Sequence, residues 1–71
     1  MNRDANSIAN KAHDFATSYL NLYGQPDDAL LLVKYAADQY PGDPLSDDER
    51  QLFIERAVGH FVNAACGTRG V

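Results

Sequence analysis

Apolar residues recur along this chain at helical spacing in three separate stretches. The clearest runs from Leu45 to Gly67. Ile54, Val58, Phe61, Val62 and Ala65 fall on one ridge of a helix there, with Phe53, Ala57 and Ala64 beside it. Ser46 stands where an N-cap is wanted and Glu49 follows three residues later, so the two can satisfy each other's free backbone N–H groups as a capping box. Asp47, Asp48 and Glu49 put negative charge at the positive end of the helix dipole. Gly67 stands where a left-handed C′ residue would end the helix. Gly59 lies inside it, where glycine costs roughly 1 kcal/mol relative to alanine, so a close approach by another backbone or ring is expected at that point.

The first stretch has Ile8, Ala12, Phe15, Tyr19 and Leu22 in alternating steps of four and three, a seam widened by Ala9, Ala16, Leu20 and Tyr23. Asp4, Asn6 and Ser7 are all competent N-caps, and Gly24 serves as the C′ stop. In the second stretch, Pro26 suits a first helical position and Asp27 and Asp28 suit a first turn. The run from Ala29 to Ala37 is apolar nearly all round, which predicts a helix covered on two sides, either by both neighbours or by another copy of the chain. Tyr40-Pro41-Gly42-Asp43-Pro44 cannot continue a helix. The pattern therefore predicts an all-α fold. It is a small antiparallel three-helix bundle within a single domain over residues 1–71, with helices at about 5–23, 26–40 and 46–66. Residues 1–3 are expected to be frayed and residues 67–71 to form a mobile tail.

Composition sharpens this picture. At 71 residues, 45% hydrophobic and 23% charged, the chain is globular in type but near the lower limit of what folds alone. A core of this size rarely supplies more than about 3–5 kcal/mol. One cysteine cannot form an internal disulfide, and no ligand set for a structural metal is visible. Extra stability then comes from tight helix packing or from association, and a homodimer through the surplus apolar face of helix 2 is expected. The lone thiol, a polar first ten residues without an apolar signal core, and the absence of a membrane-length apolar run point to the cytoplasm.

Ten acids against six scattered bases give a net charge of −4, which disfavours direct binding to nucleic acid. Cys66 lies six residues from His60, about 600° around one helix, so the two point to different faces and Cys66 reads as a small buried thiol. His60 is expected to flank the core or a contact surface. The acids Asp43, Asp47, Asp48 and Glu49 lack the alternation and central glycine of a calcium loop, and His13 with Asp14 offers too few ligands for zinc. No catalytic residue, cofactor or metal is assigned.

The tyrosines carry more. Tyr19, Tyr23, Tyr35 and Tyr40 gather towards the junction of helices 1 and 2 and the end of helix 2, and some of the leucines at 30–32 must face outward. Tyrosine offers apolar area and a polar tip at low entropic cost, and exposed apolar groups in a row mark a partner. Tyr19, Tyr23, Leu31, Tyr35 and Tyr40 are therefore the candidate protein-interface residues of a non-enzymatic adaptor, regulator or inhibitor that binds another protein. Two alternatives are a regulator acting at nucleic acid through a DNA-binding partner or by acidic mimicry of phosphate, and a small metal-binding or Cys/His-dependent enzyme. The segment Leu45-Ser46-Asp47-Asp48-Glu49 with Leu52-Phe53 resembles the last helix of Hha-type helical modulators of nucleoid proteins over this short stretch. It carries no functional residue across.

Overall fold

The computed structural model describes residues 4–42 and 44–68. The expected frayed start at residues 1–3, the acid Asp43 and the tail from residue 69 onward lie outside the described residues. Those described form three helices and no strand: α1 (Ala5–Tyr23), α2 (Ala29–Asp38) and α3 (Asp47–Thr68). No helix among them is long and apolar enough to cross a membrane.

Local chemistry sets each helix end. Asp4, in extended conformation, caps α1 by accepting the Asn6 N–H at 3.3 Å. Gly24 stops α1 at a positive φ of 80°, and its N–H donates to the Leu20 carbonyl at 3.0 Å. At α3 both halves of the expected capping box form: the Ser46 N–H donates to Glu49 Oε1 at 2.9 Å, and the Glu49 N–H donates to Ser46 Oγ at 3.3 Å. Gly67 does not end α3, which runs on to Thr68.

Helix α2 is shorter than expected at both ends. Pro26 is not its first residue. Instead Asp28 is the N-cap, with its carboxylate accepting the Leu31 N–H at 3.1 Å. A capping carboxylate satisfies a donor that proline only avoids exposing, so the aspartate takes the boundary. At the other end Gln39 is the cap, and Tyr40 precedes Pro41, whose ring disfavours helical geometry in the residue before it.

The core is built from Ile8, Ala12 and Ala16 of α1, Val33 and Ala37 of α2, and Phe53, Ile54, Ala57 and Phe61 of α3. The α1 and α2 sets step by four residues, and on α3 Ile54, Ala57 and Phe61 step by three and four with Phe53 beside them, so each set keeps to one helical face. On α3 that ridge is rotated from the expected one: Val62 and Ala65 are exposed, and Val58 only flanks the core. On α1 the seam passes through Ala16 rather than ending on Leu22, which is exposed. The small residues Ala12, Ala16 and Ala57 are all fully buried, and their lack of bulk lets α1 and α3 approach closely.

Helix α3 is the spine. Both α1 and α2 pack on it, whereas the described backbones of α1 and α2 nowhere come within 8 Å of each other, Cα to Cα. The molecule is correspondingly long, 43 × 19 × 18 Å. Helix α2 is thus covered on one side only, because its two neighbours do not close over it. Leu30, Leu31 and Tyr35 face outward.

Candidate functional site

The gap between α1 and α2 forms a groove of about 550 Å³. Its α1 wall is Lys11, Asp14, Phe15, Ser18 and Tyr19, its α2 wall is Leu32, Tyr35, Ala36 and Gln39, and Tyr40 and Pro41 close one end. Phe53 of α3 forms the floor. The rings hold one another in place: Phe53 lies 6.2 Å from Phe15 and 5.6 Å, perpendicular, from Tyr40, while Tyr19 meets Phe61 edge-on at 5.9 Å. The walls are therefore largely aromatic and packed ring on ring, and they are apolar apart from the rim.

A second hollow adjoins the first and shares Tyr19, Leu32 and Tyr35 with it. Pro26, Asp27, Asp28 and Leu31 complete its lining. Tyr23 lies against Tyr19 at 4.9 Å between ring centres. All five residues singled out in the sequence, Tyr19, Tyr23, Leu31, Tyr35 and Tyr40, thus fall on one continuous band. Its outer part is open to solvent: Tyr23 is 73% exposed, Tyr35 65% and Leu31 64%. Phe15 and Phe53, which form part of the groove, read as plain core in the sequence. No local signal marks them, because their place on the groove arises only from the separation of α1 and α2.

A second cluster lies where α1 crosses α3. The rings of His13 and His60 stand 4.6 Å apart, edge to face, and His60 Nε2 is hydrogen-bonded to Thr17 Oγ1 at 3.3 Å. Ala9, Asn10, Glu55, Arg56, Gly59 and Asn63 line the shallow hollow around them. His60 flanks the core as expected, but its pairing with His13 joins two helices and has no sequence signature. Cys66 is exposed, not buried, because the core ridge of α3 ends at Phe61. Among the described residues no three His, Cys, Asp or Glu side chains gather closely enough to hold a metal ion.

Polar contacts pin the frame on which the band is carried. Arg50 Nε donates to Asp38 Oδ1 at 3.2 Å and joins α3 to the end of α2. Gln25 Nε2 donates to the Phe61 carbonyl at 3.2 Å and ties the α1–α2 connection to α3. Comparison of the chain with protein families, curated proteins and solved structures finds no match.

Proposed function

We propose that this chain is a non-enzymatic protein-interaction module whose contact surface is the tyrosine and leucine band of α2 and the α1–α2 groove. The observation that carries this reading is the contiguity of the exposed residues. Leu31, Tyr35 and Tyr23 stand out beside an apolar groove with aromatic walls, and together they make a patch of the kind that soluble monomers keep small. Burying one such side chain contributes about 1.5–3 kcal/mol, so a few of them supply a specific contact. Tyrosines at the rim add hydroxyl partners at little cost in entropy.

The finer architecture belongs to the same reading. An up–down–up course with α2 antiparallel to α3 is supported by the contacts of Asp38 with Arg50 and of Tyr40 with Phe53 near the start of α3, and of Gln25 with Phe61 further along it. A cytoplasmic setting is supported by the single exposed thiol of Cys66, which suits a reducing compartment.

The test is affinity capture with tagged wild-type chain and its Leu31→Lys variant as baits, with an untagged copy expressed alongside. Lysine there places a charge in the middle of the band without touching the core. The wild-type bait should retain a protein, either the untagged copy or a foreign one, that the variant loses by tenfold or more. Equal retention by both baits would sink the reading.

A further inference from the structure

We infer that His13 and His60 together bind one divalent cation of the late first transition series, copper(II), nickel(II) or zinc(II), between α1 and α3. The site lies in the hollow where these helices cross and shares no lining residue with the aromatic groove or the hollow beside that groove. It is therefore separate from the interaction surface and takes a ligand of a different chemical class. The spacing of the rings, a hydrogen bond and the room in the hollow support it.

Neutral imidazole suits copper, nickel and zinc, whereas magnesium and calcium prefer oxygen ligands. A metal–nitrogen bond to imidazole is about 2.0–2.1 Å long, and the ring centre lies about 1.1–1.2 Å behind the nitrogen. Two imidazoles that share one ion at neighbouring positions, about 90–110° apart, therefore have ring centres about 4.5–5.2 Å apart. The rings of His13 and His60 stand 4.6 Å apart, within that range. Their planes are inclined at 73°, which such a pair accepts because each ring can turn about its metal–nitrogen bond. As they stand, the rings meet edge to face. His13 is exposed, and among the described residues its ring is held by that contact alone, so a turn about Cβ–Cγ directs a nitrogen to the point shared with His60.

The hydrogen bond of His60 is of the kind that orients a metal-binding histidine. Its Nε2 lies 3.3 Å from Oγ1 of Thr17, which is four residues on from His13 and on the same face of α1. When Nε2 carries the proton and donates to that oxygen, Nδ1 keeps its lone pair for the ion and the ring is steadied from the opposite helix. Gly59 lines the hollow beside the pair, and a methyl group there would meet nothing beyond its own stretch of helix backbone, so a hydrated ion has room to approach. Asn10 and Asn63 can hydrogen-bond its water, and the opposite charges of Glu55 and Arg56 offset each other on the same hollow. Two protein ligands leave the remaining positions to water. This is an open site, unlike the closed four-ligand kind that drives folding.

Zinc(II) titration, followed by calorimetry and by thermal circular dichroism, tests the inference. The whole chain carries Cys66→Ser throughout, so that the exposed thiol does not compete for metal. With both histidines present it should take up one ion per chain with a Kd below about 1 mM. Zinc near saturation should raise Tm by about 5–10 °C, because the ion binds the folded state. His13→Asn and His60→Gln should each weaken binding tenfold or more. The His13 position is exposed, so that variant removes a ligand without disturbing the core. Copper(II) should bind more tightly than zinc, and its electron paramagnetic resonance should show coupling to two imidazole nitrogens, reduced to one in either variant. No zinc uptake at about 1 mM, or an unchanged affinity in His13→Asn, would overturn the site. An equal rise in Tm with magnesium would also overturn it, since carboxylates rather than imidazoles would then be the ligands.

Discussion

Gly59 sits within α3 beside the His13–His60 pair, and a methyl group built there meets no atom within 4 Å beyond its own stretch of helix backbone. The close approach that its position in the sequence suggests is absent. The entropic cost of glycine in a helix is therefore not offset by packing. Gly59→Ala should stabilise the protein by about 1 kcal/mol and raise Tm by about 4–8 °C, as read by thermal circular dichroism. A fall in Tm would mean that the hollow beside His60 closes over this position in solution. At this scale Gly24 and the Ser46–Glu49 box were legible in advance, because they act on backbone groups no more than four residues away, while Asp4 was one of three competent caps for α1 and the structure selects it. The pairing of His13 with His60 was not legible, because the two are 47 positions apart in the sequence and meet only through the packing of α1 on α3.

Whole helices were legible as objects, but less so in their edges and faces. Two start signals compete at α2, Pro26 and Asp28, and the one that makes a hydrogen bond prevails. Asp28→Ala should cost about 1 kcal/mol, whereas Asp28→Asn should be close to neutral, a contrast that urea unfolding would resolve. Equal effects of the two changes would show that the carboxylate charge, rather than the capping oxygen, is what matters at the helix start. The buried ridge of α3 is displaced from the expected line because it must serve two neighbours at once. Phe53, Ile54, Ala57 and Phe61 are the positions that α1 and α2 jointly cover, and Val62 falls outside that cover.

The arrangement of the three helices determines which apolar surface remains available. Since α1 and α2 both lean on α3 and their backbones stay more than 8 Å apart, Cα to Cα, the space between them stays open as the aromatic groove, and the far side of α2 stays bare. If that bare side is covered by a second copy, folding and association are linked. Tm should then fall by about 3–5 °C for each tenfold dilution in the range where the dimer predominates. A Tm independent of concentration would show that the monomer carries its full stability alone. The sequence by itself determined that the chain is all-helical, where helices begin and stop to within a few residues, and that α2 has more apolar surface than one neighbour can cover. Those features follow from side-chain periodicity and from hydrogen bonds between residues close in the chain. Only the tertiary structure decided that α3 is the spine, that α1 and α2 stand apart, and that Tyr19, Tyr23, Leu31, Tyr35 and Tyr40 share one face. That outcome depends on how closely Ala12, Ala16 and Ala57 allow helices distant in sequence to approach, a sum of many small packing terms that no single stretch of the chain encodes.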